Sequence, residues 1–146
     1  LLRLPHLEMS RCPGIIGFQD AGLGHPAYDL LSLIEDARRD VPPAARESAL
    51  REYRARRAVP DLEAALAAHG AQRHLRIAAL WVRLALRDAK PRYLVHGPRC
   101  WAQLDRALAH PACAPLRGFL DRHVPRDLRG NPDRVARRHA MAGAGG

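Results

Sequence analysis

One stretch, AQRHLRIAALWVRLALRDAK over residues 71–90, constrains the fold more than any other part of the sequence. Apolar residues recur there at the three- and four-residue spacing of an α-helix. They form one stripe: Leu75, Ala78, Ala79, Val82 and Leu86. Ile77, Trp81 and Leu84 widen this stripe, which predicts a helix buried over much of its circumference. Such a helix belongs at the centre of a helical domain.

The rest of the chain predicts further helices around this one. The 146 residues suffice for one domain with a core, and the low aromatic content of 5% beside abundant leucine, alanine and arginine favours a mainly α fold. Proline and glycine punctuate the apolar pattern. We expect Gly70 to bend or break the helix that opens at Pro60 and Asp61, and Gly97 and Pro98 to kink a later one.

The two ends of the chain differ from this helical body. LLRLP and PGIIGF, separated by HLEMSRC, predict a short β-hairpin over 1–20, followed by helices over about 26–123. Residues 125–146 are rich in arginine and end in a Gly/Ala run, so we expect a disordered basic tail after a domain of residues 1–124. The start, LLRLPHLE, looks like the middle of a protein.

Charge and cysteine content narrow the function classes. The net charge of +9 favours acidic partners without choosing among nucleotides, nucleic acid and anionic surfaces. Cys12, Cys100 and Cys113 are odd in number and contain no CxxC pair, which favours reduced thiols in a cytoplasmic protein over zinc or a disulfide framework. No apolar run reaches the roughly 20 residues of a membrane span, so we expect no membrane partner.

The most specific motif is GIIGFQDAGLGHPAYDLLSLIEDARRDV, residues 14–41. An apolar run, an acidic turn and Pro-x-Tyr-Asp-Leu at a helix start resemble the C-lobe of the aminoglycoside phosphotransferase and choline kinase family. That family shares the protein-kinase core and usually has Ile-Asp-Phe-x-x-Ala and Gly-x-x-x-x-Asp-Leu. GAQRHLRIAALWVRLALRDAKPRYL and LAHP extend the resemblance, over about 1–124, toward bacterial kinases of the anomeric hydroxyl of N-acetylmuramate and N-acetylglucosamine.

The resemblance implies the helical C-lobe of a protein-kinase-like fold and an ATP-dependent phosphotransferase that acts on a sugar hydroxyl, with ATP and Mg²⁺ as cofactors. Kinases of this type also need a glycine-rich loop, a strand lysine with its helix glutamate, and a catalytic His-x-Asp-x-x-x-x-Asn loop. None of these motifs occurs in the sequence, and family order puts them before Leu1. We therefore expect a C-terminal fragment that is inactive alone.

Gly17 occupies the position at which the resemblance implies a magnesium-binding aspartate. Mg²⁺ prefers carboxylate oxygens, and glycine offers none. Asp20 is a candidate substitute only if the backbone turns after Phe18, because residues 17 and 20 point to opposite sides of an extended strand. The other interpretation of Asp20 is that it caps the turn or pairs with an arginine.

Four further residues are site candidates by the same resemblance. Asp29, in Tyr-Asp-Leu, would support the catalytic loop through hydrogen bonds, and it also suits a helix N-terminus electrostatically. Gln72, Arg73 and Arg76 would border the sugar cleft, where a guanidinium suits a carboxylate. The alternative is that both arginines belong to a stripe that is exposed to solvent or paired with Glu35, Asp36 or Asp88.

Other chemistries receive less support. The histidines lack metal-ligand spacing, and we expect them on the surface or at helix ends: His25, His69, His74, His96, His110 and His123. Two competing functions remain, a noncatalytic scaffold with a basic helical surface and nucleic-acid binding by the tail arginines. The arginines concerned are Arg122, Arg126, Arg129, Arg134, Arg137 and Arg138. No aromatic platform accompanies them, so we expect no nucleic-acid partner.

Overall fold

The structure, a computed structural model, describes residues 22–130. Its α-helices are α1 (Ala27–Ile34), α2 (Pro43–Arg56), α3 (Leu62–Arg87), α4 (Gly97–Leu108) and α5 (Ala114–His123). Short 3₁₀ segments occur at Pro91–His96, Pro111–Cys113 and Arg126–Leu128. Within this part of the chain there is no strand, which confirms the mainly helical prediction. The predicted hairpin over 1–20 lies outside the described residues.

Helix α3 is the element that the others surround, as its apolar pattern predicts. It contacts α1, α4 and both 3₁₀ segments that flank α4. Its buried face differs from the predicted stripe, because Ala79 and Leu86 are exposed. The buried face has the same helical spacing but is shifted by about one residue toward the N-terminus relative to the predicted stripe. Its residues are Ala67, Gly70, Ala71, His74, Ala78 and Trp81. Small residues dominate this face, so neighbouring helices approach α3 closely.

Gly70 does not break α3, which runs through it without interruption. A methyl group at this position would lie 3.3 Å from the Cβ of Ala107 on α4 and 3.7 Å from Cδ1 of Leu31 on α1. The expectation of a break is therefore wrong, and the glycine is there because three helices meet at it. Its helix-propensity cost of about 1 kcal/mol is offset by the packing that its lack of a side chain allows.

Apolar side chains divide the core into clusters along α3. The N-terminal third of α3 packs with α1 and α2 through Leu31, Leu50 and Leu66, among others. Further along, α3 packs with α4 and α5 through a second cluster that contains Leu104 and Leu120. A third cluster joins the C-terminal part of α3 to α4 around Trp81 and Cys100.

Residues beyond the predicted domain boundary at residue 124 also contact the helical body, and the boundary itself stays a prediction. Arg129 has a side chain that is only 5% exposed, and it donates hydrogen bonds to the Val124 carbonyl at 3.0 Å and to Asp121 at 2.9 Å. Its guanidinium also lies 5.9 Å from the ring centre of Trp101. Packed structure thus continues to Gly130, because an arginine in the expected tail pairs with the body. Residues 131–146 of that tail lie outside the described part of the chain.

Candidate functional site

Helix α1 begins in a turn that several side chains hold in place. His25 Nδ1 accepts a hydrogen bond from the Ala27 backbone N–H at 3.2 Å, which satisfies one of the free donors of the first turn. The Tyr53 hydroxyl of α2 donates to the Pro26 carbonyl at 3.1 Å. Buried Leu30 and Leu31 then face α3, so the exposed side of the first turn carries Asp29. The sequence HPAYDLL thus presents a carboxylate at a fixed helix start.

Arg73 of α3 reaches this helix start. Its Nη1 donates to the Tyr28 hydroxyl at 3.3 Å, and its guanidinium carbon lies 5.8 Å from the centre of the Tyr28 ring. The Tyr28 ring in turn meets the edge of His69 at a centroid distance of 5.8 Å. Arg73 Nε is buried and has no hydrogen-bond partner within residues 22–130. We call Tyr28, His69, Arg73 and the adjacent exposed Asp29 the α1 site. Of the Arg73 donors only Nη1 has a hydrogen-bond partner among the described residues, so others remain for a ligand.

Asp29 is exposed and makes no hydrogen bond or ion pair with any other described residue. Its carboxylate can therefore accept bonds from a group outside the described chain. The predicted contact with a catalytic loop involves residues that this sequence does not contain, so that role stays a prediction. The helix-terminus interpretation fits as well, because Asp29 is the acidic residue of the first turn of α1.

Gln72 and Arg76 do not join Arg73 in the α1 site. Both are exposed and line an open groove of about 510 Å³ between α3 and the start of α5. Apolar side chains such as Leu75 and Leu116 form the rest of that groove. The structure thus separates the three predicted substrate residues into two places. Within the described chain, Arg73 and Arg76 do not pair with acidic residues either. Arg73 bonds to Tyr28, and Glu35, Asp36 and Asp88 pair with other described residues.

A magnesium site is not found within residues 22–130. No group of three or more His, Cys, Asp or Glu side chains lies close enough there to hold a metal ion. Gly17 and Asp20, the positions at which the resemblance raised the question of a metal ligand, lie outside the described residues. We assign the described residues no step in the chemistry of this ion.

A buried hydrogen-bonded pair, His74 and Glu35, was not predicted from the sequence. His74 is completely buried, and its Nε2 lies 2.7 Å from Glu35 Oε2 at the end of α1. The expectation that every histidine lies on the surface or at a helix end is therefore wrong for His74. Its spacing from Ala67, Ala71 and Ala78 puts it on the packed face of α3, and this spacing is the signal that could have identified it. Its partner, 39 residues earlier, has no local signal.

Glu35 is ionised in this setting despite its burial. Burial is the largest influence on its pKa and raises it. The hydrogen bond from His74 and the charges of His74, Arg106 and Arg46 together outweigh burial, so the pKa of Glu35 lies below its ordinary value. The cysteines are less reactive, because burial raises the pKa of the Cys100 thiol to about 11 and also raises that of Cys113. Among the described residues both are free thiols.

Comparison with known proteins supports the resemblance. The model of a phosphotransferase enzyme family matches residues 4–68. The chain is 42% identical over 132 residues, or 88% of its length, to an N-acetylmuramate/N-acetylglucosamine kinase of Caulobacter vibrioides, of which it covers 36%. The resemblance to phosphotransferases found in residues 14–41 is thereby confirmed.

Two further relatives carry the same name as the Caulobacter kinase. The N-acetylmuramate/N-acetylglucosamine kinase of Pseudomonas putida is 35% identical over 114 residues, 71% of the chain and 34% of the relative. That of Neisseria meningitidis serogroup B is 35% identical over 118 residues, 74% of the chain and 35% of the relative. The chain thus spans about a third of the length of these relatives. In residues 22–130 no helix is both long and apolar enough to cross a membrane.

Proposed function

We propose that this chain is the C-terminal part of an ATP-dependent sugar kinase that phosphorylates N-acetylmuramate or N-acetylglucosamine. The observation that carries the proposal is the 42% identity over 88% of the chain to a kinase named for these two sugars. The α1 site supports it, because an arginine with unused donors beside an exposed aspartate suits a polar, oxygen-rich ligand. A cytoplasmic location follows from ATP as substrate and from the two buried free thiols.

In this proposal each part of the α1 site has a distinct task. Asp29 accepts hydrogen bonds from the catalytic loop of the complete enzyme and so holds that loop in position. Arg73 is oriented by the Tyr28 hydroxyl and offers its remaining donors to the sugar or its carboxylate. Gln72 and Arg76 line a separate groove, so they act on the sugar only if it extends beyond α3.

The chain should not catalyse phosphoryl transfer by itself, because the phosphate-binding and catalytic motifs are absent from its sequence. Purified residues 1–146 should phosphorylate neither N-acetylmuramate nor N-acetylglucosamine from radiolabelled ATP. Turnover at a rate typical of kinases, about 1–100 per second, would refute this part of the proposal.

A chimaera tests the kinase assignment directly. The N-terminal two thirds of the Caulobacter kinase are joined to this chain in place of its own C-terminal part, with either Gly17 or the substitution Gly17→Asp. We expect sugar phosphorylation with Gly17→Asp and loss of nearly all activity with Gly17. A folded chimaera that is inactive with both residues would refute the assignment, and equal activity with both would refute the role given to position 17.

The noncatalytic scaffold remains a second candidate because of Gly17, and the same chimaera separates the two. Nucleic-acid binding is a poorer candidate. Arg129, one of the six arginines on which it rested, is buried against Trp101 and paired with Asp121, so it has little charge to offer a phosphate backbone.

A further inference from the structure

A second polar site lies at the opposite end of α1 from Asp29. There α1, α2, α3 and α4 enclose a cavity of about 240 Å³. Its apolar lining includes Leu31, Leu50 and Leu66, and its polar lining consists of three arginines, two glutamates and one histidine. These polar residues are Glu35, Arg46, Arg54, Glu63, Arg106 and His110. The six residues that separate Asp29 from Glu35 correspond to roughly 9 Å along a helix, so the cavity is distinct from the α1 site.

Two of the arginines contact the same carboxylate oxygen and still have hydrogen-bond donors without a described partner. Arg46 Nη2 and Arg106 Nη2 each lie 3.5 Å from Glu35 Oε1, at the long limit for a hydrogen bond. The other oxygen, Oε2, is taken by His74 at 2.7 Å. Arg46 Nε is buried with no partner in the described part of the chain. Because each guanidinium has five N–H donors, most of them remain unused.

His110 adds a ring nitrogen to the lining of the cavity. Its Nδ1 accepts the Ala112 backbone N–H at 3.1 Å, which leaves Nε2 as the ring nitrogen that can contact a ligand. Arg54 pairs with Glu63, and both side chains are about half exposed, so this pair forms the outer part of the lining.

The same two arginines also line a neighbouring cavity of about 450 Å³. Gln103, only 6% exposed, lies in the wall of that cavity. Its Nε2 donates to the Asp36 carbonyl at 3.1 Å, whereas its Oε1 is buried and accepts no bond from any residue in 22–130. Arg46 and Arg106 thus lie between the two spaces. Buried polar atoms are normally satisfied, so the buried Arg46 Nε donor favours a bound group that accepts hydrogen bonds, whereas Gln103 Oε1 is itself an acceptor and does not contribute to binding an anion.

We propose that the cavity bounded by Glu35, Arg46, Arg106 and His110 binds a small oxyanion, a phosphate or carboxylate group, independently of the α1 site. Three arginines face two glutamates, so the lining is net positive although Glu35 lies among them. Glu35 is hydrogen-bonded to His74 through one oxygen and contacts Arg46 and Arg106 through the other. The two guanidiniums therefore lie close enough together to bind one anion. A metal cation would instead be repelled by the three positively charged guanidiniums of the lining.

The test measures binding of inorganic phosphate and of acetate to the 146-residue chain by isothermal titration calorimetry, at constant ionic strength set with sodium chloride. Arg106→Gln is the informative variant, because its side chain is 56% exposed and Glu35 keeps its hydrogen bond to His74 without it. Arg51→Gln removes the same charge from an exposed position on α2 outside the cavity. Arg54→Gln gives a second cavity variant should Arg106→Gln fail to fold.

We expect saturable binding of phosphate or acetate to the unmodified chain and to Arg51→Gln. Arg106→Gln should weaken it by roughly tenfold or more, the effect of losing one charge-assisted hydrogen bond. Comparison of the two anions shows which oxyanion the site prefers. Absence of saturable binding for both, or equal weakening by Arg51→Gln and the cavity variants, would overturn the proposal.

Discussion

Removal of the buried His74 imidazole should cost the fold several kilocalories per mole. In His74→Leu the Glu35 carboxylate, whose side chain is 5% exposed, loses its 2.7 Å hydrogen bond and keeps only two arginine contacts at 3.5 Å. Breaking a buried pair by deleting one partner costs about 3–5 kcal/mol, and the two arginines compensate part of the stranded charge. We therefore expect a loss of about 3 kcal/mol, or roughly 10 °C in melting temperature.

Urea unfolding followed by circular dichroism at pH 7 measures this loss. His69→Leu is the matched control, because His69 lies on the same helix, is half-buried and contacts rings but no carboxylate. It should cost about 1 kcal/mol or less. The double variant Glu35→Gln/His74→Leu should recover about 1–2 kcal/mol relative to His74→Leu, because it removes the uncompensated charge.

The effect should also depend on pH in a defined direction. The pKa of Glu35 is lower in the folded chain than its ordinary value of 4.5, so its ionisation stabilises the fold above that value and ceases to do so as the pH falls through the folded pKa. The difference between the unmodified chain and His74→Leu should therefore be largest near neutral pH and shrink below about pH 4.5. A His74→Leu chain as stable as the original at pH 7, or a double variant no better than the single one, would refute the reasoning.

Three further predictions concern packing and reactivity. Gly70→Val should destabilise the fold by about 2–3 kcal/mol in the same urea assay, because the valine methyl groups would overlap Ala107. This cost exceeds the gain in helix propensity of under 1 kcal/mol, so unchanged stability would contradict the close approach of three helices at Gly70. Arg129→Ala should cost about 1–2 kcal/mol and speed hydrogen exchange of residues 124–130, with no change there if its bond to Asp121 is unimportant. Cys100 should react with a thiol reagent at pH 7.5 only as fast as the chain unfolds, as peptide mapping by mass spectrometry would show; rapid labelling of the native chain would contradict its burial and its pKa of about 11.

Local patterns explain which parts of the fold the sequence predicts. The helices and the central place of α3 follow from apolar spacing and from proline positions, which act over a few residues. The role of Gly70 cannot be predicted locally, because the residue that leaves no room for a side chain there is Ala107 on another helix. The burial of His74 likewise depends on Glu35, which only the folded chain brings near, and the pairing of Arg129 with Asp121 also has no local signal.

The candidate site shows the same division. A motif in the sequence was enough to single out Asp29 and Arg73 as residues of interest. The hydrogen bond between Tyr28 and Arg73, however, joins residues 45 positions apart, and no local pattern encodes it. Gln72, adjacent to Arg73 in sequence, lies instead in a different groove, because neighbouring positions on a helix point about 100° apart.

The division of the core along α3 has a consequence for motion. Helices α1 and α2 pack on the first third of α3 through one cluster, while α4 and α5 pack on the rest through another. Separate apolar clusters favour separate opening events, each with its own free energy below that of global unfolding. The helix that carries Asp29 can therefore detach together with α2 while α4 and α5 stay bound to α3. The end of the molecule that bears the α1 site then has a local stability of its own, which ligand binding there would raise.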